Sequence, residues 1–240
     1  MIDLRRRSGE PEWMDGDGVS PEEFAACLDD LAKVNTITLA RLPTLAFLDR
    51  AFAATPPGRK LTVVDVGFGA GDMLRALARH ARKRGREVRL IGFDINPRSE
   101  PAARRLTPPA PSPTTTIDYR TGNAFAMAED EPVDLVVSSL VTHHMSDAGI
   151  LDFLQWMERK AALGWLVNDL HRHRFAYHGF SLLAAAMRWH PFVRHDGPLS
   201  IARAFRRDDW DVLLGQAGLI GTARVNWRFP FRYCVERTKW

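Results

Sequence analysis

Three glycines at alternate positions, flanked by carboxylates, are the residues whose types and spacing point most clearly to chemistry. The stretch VVDVGFGAGD ends an apolar run with this group, which comprises Asp65, Gly67, Gly69, Gly71 and Asp72. A glycine-rich turn between a strand and a helix lets the backbone approach a ligand, and the helix N-terminus favours negative charge. The pattern therefore predicts a phosphate- or nucleoside-like ligand over the turn.

The residues around the glycines separate the candidate ligands. A phosphate-binding loop needs Lys and then Ser or Thr after its last glycine, whereas Asp72 and Met73 follow Gly71 here. A dinucleotide fingerprint has the spacing G-x-G-x-x-G or A, whereas this loop has G-x-G-x-G. Carboxylates beside a pyrophosphate would repel it. A ligand with a cationic amino or sulfonium group and no phosphate tolerates both aspartates.

A further carboxylate ends the next predicted strand. The segment LIGFDINP places Asp94 there, and a carboxylate in this position can accept hydrogen bonds from both hydroxyls of a ribose. Together with the glycine loop, Asp94 indicates an adenosine-bearing ligand that lacks phosphate.

These segments resemble the cofactor motifs of class I S-adenosylmethionine-dependent methyltransferases. TGNAFAM at 121–127 and VDLVVSSLVTHHM at 133–145 are similar to the adenine-contacting segment and the fourth strand of that family. The residues around 167–205 resemble bacterial methyltransferases of the ubiquinone and menaquinone type, which act on small molecules. The resemblance implies S-adenosylmethionine as cofactor and a cofactor site made of Asp65, Gly67, Gly69, Gly71, Asp94, Ile95, Asn123, Ala124 and Ser139.

Histidines near predicted strand ends are the candidates for catalysis. Removing a proton from a phenol requires a base, and the ordinary pKa of His suits neutral pH. His143 and His144 follow the fourth strand and His171 follows the fifth, at the sheet edge where ligands bind. Neighbouring residues rarely face the same point, so at most one of the adjacent pair is expected to be catalytic, and structural roles stay open. Substrate contacts are expected from Asn35, His173, Tyr177 and His195.

Other reaction types lack their residues. A metal-dependent catechol mechanism needs an acidic triad, but the fourth strand ends in Ser138 and Ser139, so no metal site is expected. The Asn/Asp-Pro-Pro-Tyr/Phe loop that resembles amino-group methyltransferases is absent, which disfavours nucleic-acid and protein-amide acceptors. A macromolecular acceptor such as RNA and a non-catalytic nucleoside-binding protein remain the alternatives.

The helices and strands that position these residues are predicted from capping signals and from the spacing of apolar residues. Ser20 and Glu23 predict a capped first helix, and a second helical stretch is expected near 38–53. Apolar strands alternate with helices from residue 61, which is typical of a parallel sheet covered on both faces. The strands are predicted at 61–66, 88–93, 114–120, 133–138 and 164–169, with helices at 72–84, 147–161, 175–189 and 207–217 and a closing pair of strands near 221–229 and 231–238.

The predicted fold is therefore α/β. It has a Rossmann-like, seven-stranded, mostly parallel sheet with one antiparallel strand and helices on both faces. Residues 1–57 are predicted to form a helical N-terminal cover, and 58–240 the methyltransferase domain with a substrate-side insertion at 171–200.

Composition limits the partners and the compartment. The chain has 240 residues and a formal net charge of +4, an excess too small to indicate a nucleic-acid partner. Its apolar stretches are too short to span a membrane, and its N-terminus lacks an apolar signal region. We expect a cytoplasmic enzyme with a small-molecule substrate, and a homodimer stays open.

Overall fold

A single mixed sheet of seven strands organises the molecule. The computed structural model describes residues 3–16, 18–108 and 115–240. The strand order is β3-β2-β1-β4-β5-β7-β6, in which β1 to β5 are parallel and β7 runs antiparallel to both of its neighbours. This arrangement confirms the predicted sheet. The strands are β1 (Leu61–Val66), β2 (Val88–Asp94), β3 (Thr115–Thr121), β4 (Leu135–Ser139), β5 (Gly164–Leu170), β6 (Arg224–Arg228) and β7 (Arg232–Thr238).

Helices cover both faces of this sheet. Two of them precede the first strand, and the first begins as predicted, because Ser20 accepts a bond from the Glu23 amide and Glu23 accepts one from the Ser20 amide, each at 3.1 Å. The helices are α1 (Pro21–Ile37), α2 (Leu42–Ala53), α3 (Asp72–Lys83), α4 (Ser99–Leu106), α5 (Asp147–Lys160), α6 (Arg174–Ala186), α7 (Pro191–Arg203) and α8 (Arg207–Gln216).

The core lies on both faces of the sheet. Val63 packs with Phe47 and Leu74 on one face, whereas its neighbour Val64 packs with Phe153 on the other. All five of these side chains are fully buried. Because successive strand residues point to opposite faces, a strand buried on both sides must be apolar throughout its length. This explains the largely apolar strand that precedes the glycines, in which Asp65 is the buried exception.

The region 171–200 differs from its prediction. One helix over 175–189 was expected, but α6 ends at Ala186 and α7 begins at Pro191. Pro191 occupies the first helical position, where its missing N–H costs nothing, and His190 caps the helix by accepting the Phe192 amide at 3.3 Å. The insertion is thus a helical hairpin, whose two arms pack on each other through Phe180 and Gly197.

Other boundaries also shift. The stretch predicted at 38–53 begins only at Leu42, and the strand predicted at 221–229 is limited to Arg224–Arg228. The short helix α4 was not predicted. Residues 109–114 of the predicted Pro-rich loop at 106–116 lie outside the described residues. Within the part of the chain that the structure describes, no helix is long and apolar enough to cross a bilayer.

Candidate active site

A large cavity lies at the carboxyl ends of the parallel strands. Its volume is about 1340 Å³, and its walls come from the ends of β1, β2, β4 and β5, from α1, α6 and α7, and from the turn between β6 and β7. Pockets for a single small ligand are about 300–1,000 Å³. The cavity therefore has room for two molecules side by side. We call the part beside the β1–α3 turn and the end of β2 the cofactor half, and the part between α6 and the β6–β7 turn the acceptor half.

The glycine loop forms the floor of the cofactor half. Gly67 has a φ of +78°, and a Cβ there would lie 2.2 Å from Cγ2 of Val141. Gly69, with a φ of +52°, has open space where its Cβ would be. A side chain at position 67 would thus collide with the chain after β4, and one at position 69 would fill space above the loop. Both line the cavity, whereas Gly71 does not.

Asp94 connects the end of β2 to this loop. One carboxylate oxygen accepts the Gly69 amide at 2.8 Å, and the other accepts the Asn96 amide at 2.9 Å. Burial raises the pKa of Asp94, against the opposing effect of these hydrogen bonds. Each oxygen retains a lone pair, so the carboxylate can still accept hydrogen bonds from a ligand in the cavity that it lines.

Asp65 lies beneath the loop rather than on the cavity wall. Its side chain is 1% exposed, and its Oδ2 atom finds no hydrogen-bond partner among the described residues. Burial, together with the charges of Asp72 and Asp94, raises the pKa of Asp65 to about 8. A buried carboxyl without a partner favours a cation nearby, because a positive charge would stabilise its ionised form.

α1 is tied to the cofactor half by polar contacts. Asn35 of α1 donates from Nδ2 to Asp72 at 3.3 Å, and Arg41 donates to the same carboxylate at 2.9 Å. Asp72 is the first residue of α3, where the helix dipole also favours a negative charge. Asn35 also lines the cavity, and its contact with the substrate stays a prediction.

A buried histidine–aspartate pair borders the cavity where β4 and β5 end. His143 Nδ1 lies 2.7 Å from Oδ1 of Asp169. The same carboxylate accepts bonds from Thr142 Oγ1 at 2.5 Å and from the amides of His143 and Leu170 at 3.0 and 2.7 Å. Burial alone would raise the pKa of Asp169, but His143 and these donors hold it well below its usual range. Because Asp169 is an ionised acceptor, Nδ1 of His143 carries a proton, so Nε2 is the ring nitrogen that could exchange a proton with a ligand.

His144 has a different environment from its neighbour. Its Nδ1 lies 3.1 Å from Asp15, and its Nε2 lies 3.8 Å from Glu12. Although burial opposes it, these two carboxylates raise the pKa of His144. Glu12 also lies 3.8 Å from His143 Nε2, so the N-terminal segment brings its acids to both histidines.

The histidines of 171–200 do not reach the cavity with the others. Burial, and then the charges of His173 and nearby arginines, lowers the pKa of His171 to about 4. His173 caps α6 by accepting the Phe175 amide at 3.2 Å, and His195 stacks on Trp13 with 3.7 Å between ring centroids. Tyr177, like these three, is absent from the described residues that line the cavity. The insertion contributes other residues of α6 instead, among them Phe175, Phe180 and Leu183.

Comparison with known proteins identifies the family. A sequence model described as a methyltransferase domain matches residues 63–164. A ubiquinone biosynthesis O-methyltransferase of Cereibacter sphaeroides is 32% identical over 179 residues, which cover 72% of this chain and 66% of that protein. This chain belongs to the class I S-adenosylmethionine-dependent methyltransferases. An indolepyruvate C-methyltransferase of Streptomyces griseus is 34% identical over 92 residues, which cover 38% of the methyltransferase described here and 26% of that relative.

Solved structures agree with this fold. The magnesium protoporphyrin IX methyltransferase of Synechocystis PCC 6803, solved with its S-adenosylmethionine bound, superimposes with a TM-score of 0.53 at 16% identity. The match covers 95% of this chain and 88% of that one. S-adenosylmethionine is the cofactor of the family, and its chemistry suits this cavity, since its amino and sulfonium groups are cations and it carries no phosphate.

The remaining predicted cofactor residues line the same half of the cavity. Asn123 accepts the Phe125 amide at 3.0 Å, Ala124 is buried beside it, and Ser139 lies 3.3 Å from Nδ2 of Asn168. Ile95 is 80% exposed directly after Asp94 and offers an apolar surface. All four line the cavity with Asp94. Ten of the residues predicted for the site therefore line this cavity. They are Asn35, Gly67, Gly69, Asp94, Ile95, Asn123, Ala124, Ser139, His143 and His144.

Several charged residues of the site were not predicted from the sequence, among them Glu12, Asp15 and Arg232. Glu12 and Asp15 precede α1 and meet the histidine pair, more than 120 residues away along the chain. Arg232 begins β7 and lines the acceptor half. No local motif contains these residues, because each reaches the cavity through tertiary structure.

Proposed function

We propose that this methyltransferase transfers a methyl group to oxygen or carbon of a small aromatic, phenolic or polyketide-like acceptor, with His143 as general base. One observation carries the proposal. A single cavity joins the glycine loop and Asp94 to the buried His143–Asp169 pair. A cofactor and an acceptor can therefore lie next to each other within reach of a base.

We assign the cofactor half to S-adenosylmethionine, which when bound supplies an electrophilic methyl group. Asp94 would accept the ribose hydroxyls, and Ile95 and Ala124 would pack against the adenine, whose edge Asn123 can meet. The unpartnered oxygen of Asp65 would favour the cationic amino end from beneath the loop. The loop glycines keep the space above the floor free of side chains.

In the acceptor half, His143 would take the proton of the acceptor. Asp169 holds a proton of His143 on Nδ1, so in the neutral ring Nε2 would be the nitrogen that accepts the proton of the acceptor. When Nε2 takes up a proton, the ionised Asp169 stabilises the resulting imidazolium. A hydroxyl or an activated C–H group can lose its proton in this way. The relatives include proteins named for O-methylation and for C-methylation, so both acceptor atoms remain within the proposal.

The shape of the acceptor half supports an apolar or aromatic acceptor. Phe175, Phe180 and Phe231 line it from α6 and from the β6–β7 turn, and Leu28 and Leu31 of α1 face the same cavity. Aromatic walls favour flat apolar ligands through burial and ring packing. We further propose that residues 1–57 act as a cover and 171–200 as a lid over the bound acceptor.

Metal-assisted transfer is the second candidate. Glu12, His143 and His144 each bring one donor atom within 4.8 Å of the others, a spacing that could hold a metal ion. Two histidines and one carboxylate are a common ligand set in metalloenzymes. If a metal is required, a chelator abolishes methyl transfer and a divalent metal restores it. If His143 acts as a free base, activity survives extensive chelation.

Mass spectrometry of reaction mixtures tests the proposal. The purified protein is incubated with S-adenosylmethionine and a panel of phenols, quinols, polyketide lactones and aromatic 2-oxo acids. The expected result is a product heavier by one CH2 group together with S-adenosylhomocysteine, neither of which forms with His143→Asn at a comparable rate. Binding of S-adenosylhomocysteine without transfer to any panel member would contradict the assignment to small aromatic acceptors.

A further inference from the structure

One buried arginine in the acceptor half is left without the partners that such a group requires. Arg232 is 2% exposed and lines the cavity. Its Nη2 donates to Thr38 Oγ1 at 3.1 Å, but Nε and Nη1 are buried and make no hydrogen bond within the described residues. Because guanidinium has five N–H donors and no acceptor, a single hydroxyl leaves it largely unsatisfied.

The nearest negative charge does not satisfy this arginine. Asp169 acts on Arg232 electrostatically, yet its two oxygens already accept hydrogen bonds from Thr142, His143 and Leu170. Over residues 3–16, 18–108 and 115–240, no carboxylate forms an ion pair with Arg232 within 4.0 Å. The burial of the guanidinium lowers its pKa to about 10, against the opposing effect of Asp169, so it remains charged at neutral pH.

A second buried arginine shows what a satisfied site looks like in this protein. Arg172 is also 2% exposed, but it donates to Asp209 at 2.5 Å and to the carbonyls of Ala204 and Leu4 at 3.1 and 2.8 Å. It fastens the N-terminal segment to the start of α8. Arg232 is buried to the same extent and so is also removed from water, but within the described residues it makes no ion pair and donates only to Thr38. The uncompensated charge is retained where a ligand would lie.

From this contrast we infer that the methyl acceptor carries a carboxylate and that Arg232 binds it. The inference rests on the proposed function and names the substrate class. Guanidinium matches the planar carboxylate in geometry and in unit charge, and a dry environment strengthens the pair. Phe175 and Phe231, which line the same cavity as Arg232, would hold the apolar body of the same molecule. The acceptor is thus an aromatic or apolar acid, anchored by its carboxylate within the cavity that His143 borders.

Binding measurements on matched acids and esters test this inference. The full-length protein is saturated with S-adenosylhomocysteine and titrated with 4-hydroxybenzoate, phenylpyruvate and 3-phenylpropionate, each beside its methyl ester. The expected result is that at least one acid binds about tenfold or more tightly than its ester, as the loss of hydrogen bonds to a charged group predicts. Arg232→Met removes this preference, and Arg232→Lys retains part of it.

A stability readout separates binding from a structural role. Arg232→Met should leave the ligand-free melting temperature unchanged or raise it, because it removes an unpaired buried charge. Arg172→Met, the matched control, should lower it. The inference is overturned if no acid binds, if esters bind as tightly as acids, if Arg232→Met keeps the preference, or if it destabilises the protein as Arg172→Met does. Failure of S-adenosylhomocysteine to bind the wild type would instead overturn the proposed function.

Discussion

The two halves of the cavity differ in the buried ionisable group that lacks hydrogen-bond partners among the described residues. Beneath the cofactor half it is the carboxyl of Asp65, whose pKa of about 8 favours the neutral form at pH 7, and in the acceptor half it is the guanidinium of Arg232, which stays charged. Burying such groups costs stability, and a ligand of opposite charge would offset that cost at either end. On the proposed function, a cationic group of the cofactor would lie at the Asp65 end and an anionic group of the acceptor at the Arg232 end.

The largest expected effect concerns the two buried arginines. Arg172→Met breaks the ion pair of a buried guanidinium with Asp209 and removes its hydrogen bonds to the Ala204 and Leu4 carbonyls, which should cost about 3–5 kcal/mol of unfolding free energy. Arg232→Met should cost nothing or be stabilising. Urea denaturation without ligands measures both. Equal losses of unfolding free energy in the two variants would contradict this contrast, since Arg232 would then stabilise the fold as Arg172 does.

The next effect concerns the histidine pair. His143→Asn keeps a donor for Asp169 but removes the base, so kcat should fall by about 10²–10⁴-fold while the affinity for S-adenosylhomocysteine is unchanged. His144→Asn, the adjacent control, should change kcat far less, because His144 is paired with Glu12 and Asp15. A larger loss of kcat for the His144 variant would indicate that His144, and not His143, is the general base.

Asp94 tests the cofactor half alone. Asp94→Ala removes the acceptor for two ribose hydroxyls, so calorimetry should show an affinity for S-adenosylhomocysteine about 10²-fold lower, with the fold intact. Asp118→Ala, on the neighbouring strand and outside the cavity, should leave that affinity unchanged. Unchanged affinity in the Asp94 variant would contradict the assignment of Asp94 to the ribose. It would not bear on the proposal for the acceptor half.

The smallest effect is a pH dependence caused by Asp65. Its folded-state pKa of about 8 lies above the ordinary value of 3.8, so the folded protein holds a proton that the unfolded chain releases. Wild-type stability relative to Asp65→Asn should therefore decrease as the pH rises from about 4 to about 8. A difference between the two proteins that does not vary with pH would show that Asp65 is not buried in its neutral form.

The same two halves differ in how far the sequence predicts them. The cofactor half comes from segments that follow consecutive parallel strands, and such strand ends necessarily meet at one edge of the sheet. Asp94, Gly67, Gly69 and Asn123 could therefore be recognised from short motifs. Most of the sheet and the capped start of α1 were likewise predicted, because their signals are local.

The acceptor half depends on contacts that are distant along the chain. Glu12 and Arg232 reach it from opposite ends of the sequence, which no motif records. The composition of 171–200 drew attention to His171 and His195, but the direction of a side chain depends on helix phase and on the turn at Pro191. Residues of α6 other than its histidines line the cavity, and the substrate-side role of the insertion stays a prediction.

A crystal structure with S-adenosylhomocysteine and the tightest-binding aromatic acid tests the central claim most directly. The account predicts that the cofactor amino group lies on the Asp65 side of the glycine loop and that the carboxylate of the acid lies within hydrogen-bonding distance of Arg232. The reactive atom of the acid should then face His143. A carboxylate directed to solvent, or an acid bound away from Arg232, would contradict the account.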